Sequence, residues 1–135
     1  MPTTIDGTTG VTSNSVALSS STGIGYTTGS GGAVTQLTSK STSVTLNAPS
    51  GQITMNNAAL AASTTVSFTF GNSFLAATDT MTFAKTFAVG TNAAYQIWAD
   101  INPGACQVNV RNISGGSLSE AIVINFGKFI KGASA

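Results

Sequence analysis

The sequence predicts an all-β fold, an antiparallel β-sandwich of the Greek-key or jelly-roll kind with an extended N-terminal arm. Short runs in which β-branched and aromatic residues alternate with polar ones indicate strands. Clusters of Gly, Pro, Asn and Ser separate these runs at intervals of roughly 8–14 residues, as in sandwiches and barrels. The most helix-like stretch, Asn57–Ala62, is too short to be stable by itself and is interpreted as a connection.

Residues 1–28 form the predicted arm. Eleven of the first 22 residues are Ser or Thr, with glycines between them and few apolar residues. Such a segment buries too little apolar area to offset its ordering entropy, so we expect it to be flexible alone and ordered by a partner. Its apolar and aromatic residues are candidate partner contacts: Ile5, Val11, Val16, Leu18 and Tyr26.

Residues 29–135 form the predicted β-sandwich domain, and Gly29, Gly31 and Gly32 are expected to serve as a hinge into its first strand. The strands are indicated by alternating residues, namely Val44/Leu46, Ile53/Met55, Val66/Phe68/Phe70, Met81/Phe83, Tyr95/Ile97, Cys106/Val108/Val110 and Ile122/Ile124/Phe126. Turn residues separate them at 47–51, 71–73, 90–92, 102–104 and 114–117.

A period of two places one set of side chains on the inner face of each sheet. We therefore expect a largely buried set made of Val66, Phe68, Val108, Val110, Ile122 and Ile124. Cys106 has the same phase as Val108 and Val110, so we expect it to point inward as a small hydrophobic residue and not to act as a reactive thiol.

Charged residues make up 7% of the 135 residues, against about 25% in typical soluble domains, and the net charge is +1. A surface with so little charge has weak self-repulsion and associates easily, which favours an assembly subunit over a freely diffusing enzyme. The scattered basic residues do not form a nucleic-acid footprint. Neither a transmembrane helix nor a secretory signal is expected, because no long apolar run is present and no basic N-terminal region precedes an apolar core.

Candidate chemistry is sparse, and the sequence predicts no enzyme, no catalytic residue, no cofactor and no metal site. The chain has no histidine and one cysteine, so it lacks the usual base for a serine nucleophile and the ligands of a His/Cys metal site. Asp79, Asp100 and Glu120 stand singly and are interpreted as solvated or turn-capping carboxylates. Lys40 lacks the preceding glycine of a phosphate-binding loop and is interpreted as an exposed residue at the tip of a turn.

Trp98 and Tyr95 are the aromatic residues best suited to bind something. Trp98 lies out of phase with Tyr95 and Ile97, so we expect it on the opposite, outer face of its strand. Packing beneath a loop, a subunit contact and a ligand platform all remain open for Trp98. Asn112-Ile113-Ser114 matches the N-glycosylation pattern and is interpreted as a chance match, because no secretion signal is expected.

The region from Gly25 onward resembles a recurrent module of tailed-bacteriophage virion proteins. The resemblance is carried by "GYTTGSGGAVTQLTSKSTSVTLNAPSGQITMNNAALAASTTVSFTFGNSFLAATD", residues 25–79, and by "VRNISGGSLSEAIVINF", residues 110–126. The block "VTQLTSKSTSVTLNAPSGQITM" is its most specific part. Residues 80–101 match only as a pattern of alternation, and residues 1–23 of the arm lie outside the resemblance.

The resemblance implies a structural virion component, with a head-decoration (cement) protein as the first expectation. Such a protein would bind the outer surface of the capsid as a homo-oligomer, expected to be a trimer, and would stabilise contacts between capsomers of the major capsid protein. It would be made in the cytoplasm of the host bacterium. The alternative is a tail or head fibre module for host recognition that binds surface glycans through Trp98 or Tyr95.

Overall fold

The computed structural model describes residues 25–26 and 28–130, and in this region it forms an eight-stranded β-sandwich. The strands are β1 Gly31–Thr35, β2 Val44–Thr45, β3 Ser50–Thr54, β4 Thr65–Gly71, β5 Thr80–Lys85, β6 Tyr95–Asn102, β7 Ala105–Asn112 and β8 Val123–Phe129. Sheet A has the order β1-β3-β8-β5, and sheet B has the order β2-β4-β7-β6. The predicted all-β sandwich is confirmed, while residues 1–24, 27 and 131–135, which include most of the predicted arm, lie outside the described residues.

Strand pairing differs from the prediction at one edge of each sheet. β1 pairs with β3 in parallel and β2 pairs with β4 in parallel, whereas the other four pairs are antiparallel. The cause is the path of the chain, which alternates between the sheets from β1 to β6. Each parallel pair is separated along the chain by a strand of the opposite sheet, so the second strand returns in the direction of the first. Both sheets are therefore mixed and not purely antiparallel.

β6 and β7 are the one pair of consecutive strands that are joined as a hairpin within the described region. Asn102 pairs with Ala105 across the two-residue turn Pro103–Gly104. Proline fixes its φ near the value that the first central position of such a turn requires, and Gly104 has a φ of 76°. This turn sets the register of the two strands that carry Trp98 and its neighbours.

The core lies between the two sheets. Its buried members are Val44, Ile53, Met55, Phe68, Phe70, Leu75, Cys106, Val108, Val110, Ile122, Ile124 and Phe126. The rings of Phe70 in sheet B and Phe126 in sheet A meet edge to face at 4.8 Å, which ties the layers together. Five of the six predicted core residues are buried. Val66 is only half-buried because it lies near the start of β4, next to exposed Thr65.

Three further expectations concern the segments outside the strands and the absence of helices. Asn57–Ala62 contains no helix, as predicted, and Leu60 forms an isolated bridge with Leu118. The expected hinge is shorter than predicted, because Gly31 and Gly32 lie inside β1 and only Gly29 precedes it. Helices long and apolar enough to span a membrane are absent from the described part of the chain.

Candidate binding surfaces

The outer face of sheet A carries no charged side chain. Its residues alternate along each strand with the buried ones, and small side chains, hydroxyls and amides predominate. This surface, called here the sheet A face, consists of Gly31, Ala33, Thr35, Ser50, Gln52, Thr54, Thr80, Thr82, Ala84, Val123, Asn125, Gly127 and Phe129. Lys85 and Lys128 occupy the alternate positions of β5 and β8. The result is a flat, uncharged surface that is four strands wide.

An apolar groove lies at one end of this face. It has a volume of about 420 Å³ and is lined by Gly25, Tyr26, Gly127, Lys128, Phe129 and Ile130. The hydroxyl of Tyr26 donates to the carbonyl oxygen of Lys128, which holds the chain before β1 against the end of β8. Tyr26, Phe129 and Ile130 are all exposed here. The groove therefore presents exposed aromatic and aliphatic side chains beside the end of β8.

The outer face of sheet B is different, because it carries both charges and an aromatic side chain. This surface, called here the sheet B face, consists of Thr45, Thr65, Ser67, Thr69, Gly71, Gln96, Trp98, Asp100, Asn102, Ala105, Gln107, Asn109 and Arg111. Trp98 is 40% exposed, and the inward phase of β6 is taken by Tyr95, Ile97, Ala99 and Ile101. The predicted outward orientation of Trp98 is confirmed.

Asn109 is the most enclosed polar residue of the sheet B face. Although it lies on an outer face, it is only 8% exposed. The hydroxyl of Ser67 donates to Asn109 Oδ1 at 2.6 Å, and Asn109 Nδ2 donates to Asp100 Oδ2 at 3.2 Å. These bonds connect β4, β7 and β6 across the face, and the second gives the Asp100 carboxylate a hydrogen bond through Oδ2.

Lys40 contradicts the expectation of an exposed turn residue, since it is only 4% exposed. Its ammonium group donates to the carbonyl oxygen of Asn56 and, at 2.6 Å, to that of Glu120. Burial lowers the pKa of Lys40, and the nearby Glu120 charge opposes that shift. The side chain is buried because two distant loops close over it, and it bonds their backbones together. Its ammonium group therefore contacts backbone carbonyl oxygens inside the fold and is not exposed at the tip of a turn.

Two of the three carboxylates hold loops in place. Asp79 forms an ion pair with Lys128 at 2.8 Å and accepts a hydrogen bond from the Ala76 N–H at 2.8 Å. Its pKa is lowered, first by the Lys128 bond and then by the Ala76 bond. Glu120 accepts bonds from the hydroxyl and N–H of Thr91, which lower its pKa most, and from the Tyr95 hydroxyl at 2.8 Å.

Tyr95, the second aromatic candidate, faces inward and lies on the opposite side of β6 from Trp98. Burial, together with the bond to the Glu120 carboxylate, raises the pKa of its phenol well above the usual value. The two aromatic candidates therefore do not form one site. The described residues also contain no cluster of three or more His, Cys, Asp or Glu side chains that could hold a metal ion.

Two smaller expectations concern Cys106 and Asn112. Cys106 is buried, as predicted, and burial raises its thiol pKa to about 11. Asn112 is fully buried, and its Nδ2 donates to the carbonyl oxygens of Leu60 and Gly116. An enclosed amide with both bonds made is not a glycosylation acceptor in the folded protein, in agreement with the chance-match interpretation.

The structure separates the predicted partner contacts. Tyr26 lies at the groove beside the sheet A face, Trp98 lies on the sheet B face, and the other four are outside the described residues: Ile5, Val11, Val16 and Leu18. Sequence reasoning missed the polar residues around Trp98: Gln96, Gln107, Asn109 and Arg111. A signal was available, because a two-residue turn at Pro103–Gly104 fixes the hairpin register and places Trp98 opposite Asn109.

Comparison of the chain with protein-family models, with curated proteins and with solved structures finds no match.

Proposed function

We propose that this protein is a structural component of a tailed-bacteriophage virion, a decoration (cement) protein that binds the outer surface of the head. In this proposal it assembles as a homo-oligomer, a trimer at three-fold positions, and contacts the major capsid protein. The observation that carries the proposal is the uncharged sheet A face. The resemblance of residues 25–79 and 110–126 to virion modules supports the virion as the place of assembly.

The sheet A face has the composition of a contact surface. Charged residues are depleted at the centre of protein interfaces, because burying an unpaired charge is costly. Small side chains on Gly31, Ala33 and Ala84 leave a flat surface, onto which another chain packs closely. A freely soluble domain more commonly covers such a face with Lys and Glu. Repetition of the contact around a shell would multiply a modest affinity.

Size indicates that the face does not act alone. Four strands about 4.8 Å apart and five residues of about 3.3 Å each give a projected area of about 300 Å². Each partner in a standard specific interface buries about 800 Å². The remaining contact is assigned to the N-terminal arm, whose 24 residues before Gly25 reach about 80 Å when extended. The apolar residues Ile5, Val11, Val16 and Leu18 are its proposed anchors.

A charge placed at the centre of the sheet A face tests this function. Gln52 is exposed and lies between Ala33 and Asn125. We expect Gln52→Lys to weaken co-sedimentation with heads that lack the protein by tenfold or more, while circular dichroism shows an unchanged fold. The matched control is Thr69→Lys, which adds the same charge to an exposed position of the sheet B face. Equal binding by the two variants would contradict the proposed role of the sheet A face.

The alternative is a host-recognition module on a tail or head fibre that binds surface glycans. A tail-fibre module predicts that heads lacking the protein do not bind it, so specific binding to those heads contradicts that form. A head-fibre module predicts that the isolated protein binds host cells, which a decoration protein does not require.

A further inference from the structure

Trp98 stands apart from the other exposed apolar side chains of the described region. Leu37, Phe74, Phe87, Val89 and Ile113 lie in connections, and Tyr26, Phe129 and Ile130 lie at the ends of the described chain. Trp98 is instead in the middle of β6, on an otherwise polar sheet face. β6 is the edge strand of sheet B, and its pairing with β7 continues on both sides of Trp98 along the strand, so the backbone that carries the indole platform is held in place.

Five polar side chains surround this platform. Asn109 is directly opposite Trp98 in the β6–β7 register, and Gln107 and Arg111 are its diagonal neighbours on β7. Gln96 and Asp100 flank it two residues away on β6. Neighbours at these positions lie within about 5–8 Å of the central residue, which is within reach of long side chains. The amides of Gln96 and Gln107 and the guanidinium of Arg111 make no hydrogen bond within the described structure.

The polar part of this arrangement is preorganised at its centre. The Ser67 hydroxyl donates to Asn109 Oδ1, and Asn109 Nδ2 in turn donates to Asp100 Oδ2. Asp100 Oδ1 carries no hydrogen bond from a described residue. Fixed acceptors reduce the entropy that binding would otherwise cost. The Asn109 amide, directly opposite Trp98, is held in this way, and the side chains without a hydrogen bond lie at the flanking and diagonal positions.

We propose that the sheet B face is a binding site for an uncharged saccharide chain, centred on Trp98. A pyranose ring has an apolar C–H face that stacks on an indole, and hydroxyls around its rim that pair with amide, carboxylate and guanidinium groups. Asp100 and Arg111, which lie on opposite sides of Trp98, give the sheet B face no net charge, so we expect the site to favour a neutral ligand over a uronate or a phosphate. The face is flat and open, which suits an extended polysaccharide better than an enclosed small molecule.

This inference does not depend on the virion role, because the isolated protein is sufficient to test it. Trp98 is the single tryptophan of the chain, so its fluorescence reports directly on the site. The test screens the full chain on an array of neutral and acidic saccharides, then titrates the strongest neutral binder in solution. The expected result is binding to at least one neutral saccharide, with a change in the intensity or wavelength of tryptophan emission.

Variants then locate the site. We expect Trp98→Ala to weaken binding tenfold or more, Trp98→Phe to weaken it less, and Gln107→Ala to weaken it severalfold. Phe74→Ala, which removes another exposed aromatic side chain from a connection, should bind as the wild type does. Absence of binding to every neutral saccharide, preference for acidic saccharides, or full binding by Trp98→Ala would each overturn the inference. So would Trp98→Ala losing attachment to virion particles in the absence of saccharide binding, because the face would then be a protein contact.

Discussion

The Lys40 ammonium joins two loops at one end of the sandwich by donating to the carbonyl oxygens of Asn56 and Glu120. Gln36 supports the same region. Its Nε2 donates to the carbonyl oxygens of Lys40 and Thr42, and its Oε1 accepts from the Asn56 N–H. The segment that precedes β2 is thereby bonded to the ends of distant segments without being part of a sheet.

Replacing Lys40 tests how much this arrangement contributes. Lys40→Met keeps most of the aliphatic stem but leaves two enclosed carbonyl oxygens without a donor. Because an unsatisfied buried group costs about 1–3 kcal/mol, we expect the free energy of unfolding to fall by about 2–4 kcal/mol. Urea unfolding measures it, and Arg111→Met, at an exposed position, is the control. A loss below about 1 kcal/mol would show that water replaces the lysine in the loops.

Individual residues show which features could be predicted from the sequence and which could not. The outward phase of Trp98 and the inward phase of Cys106 follow from the two-residue period of a strand, which is a local property. The environment of Lys40 is not local, because Glu120 lies 80 residues away along the chain. A single charged residue in a Ser/Thr-rich segment has the same local pattern whether it is exposed or enclosed.

At the level of strands, the local pattern predicted where strands occur but not which strands pair with each other. Alternation identified β4, β7 and β8, and turn residues bounded them, so the sandwich was predictable. The parallel pairing of β1 with β3 was not, because it depends on β2 entering the opposite sheet. The site around Trp98 was partly predictable, since the hairpin turn gives its register, whereas the Ser67–Asn109 bond depends on β4 pairing with β7.

The connection between β5 and β6 depends on a glycine in the left-handed region. Gly90 has a φ of 77°, and a Cβ there would lie 2.6 Å from Ile122 Cγ2 and 2.9 Å from Glu120 Oε2. Gly104 has a nearly equal φ of 76°, but a Cβ there would have no atom within 4 Å. An L-residue at either position would have the same unfavourable backbone φ. Only at Gly90 would its Cβ also overlap with neighbouring atoms.

Substituting alanine for Gly90 and for Gly104 distinguishes the cost of backbone strain from the cost of steric overlap. We expect Gly104→Ala to cost about 1–2 kcal/mol, the penalty for an L-residue in that region. Gly90→Ala should cost about 1–3 kcal/mol more, because the methyl group must displace buried Ile122. Thermal or urea unfolding of both variants measures the difference. Equal costs would mean that this connection moves away from Ile122 without a further loss of stability.

Acid sensitivity is expected from the connections that Asp79 and Glu120 hold. Hydrogen bonds keep both folded-state pKa values below the ordinary values of 3.8 and 4.5. The unfolded chain therefore binds more protons near pH 4, so the free energy of unfolding falls as the pH drops through the folded-state values. Above about pH 5 this contribution is fully present.

Urea midpoints measured from pH 7 down to pH 2 test the assignment. We expect the wild-type midpoint to decline below about pH 4.5. Asp79→Asn and Glu120→Gln should each be less stable at pH 7 and show a smaller decline. A variant whose midpoint falls as steeply as that of the wild type would show that its carboxylate does not cause the acid sensitivity.

For the whole molecule, the two outer faces have different proposed roles. The sheet A face and the arm are proposed to join the protein to a particle, and the sheet B face to remain available to a saccharide. The faces lie on opposite sides of one sandwich, so both contacts are compatible in a single subunit.

Deleting residues 2–24 tests the part assigned to the arm. We expect the truncated protein to keep its β signal in circular dichroism, because the core residues all lie beyond residue 43. Its co-sedimentation with heads that lack the protein should be clearly weaker than that of the full chain. Because the arm has one charged side chain, Asp6, added salt should change this binding little. Full-strength binding by the truncated protein would contradict the proposed role of the arm in binding to heads.

The central claim, that this chain is a decoration protein of a phage head, is tested most directly by locating it on purified virions. Antibody or tag labelling followed by electron microscopy measures its position. We expect label distributed over the outer surface of the head, repeated with the symmetry of the capsid. Label confined to the tail or its fibres, or absent from virions, would contradict it.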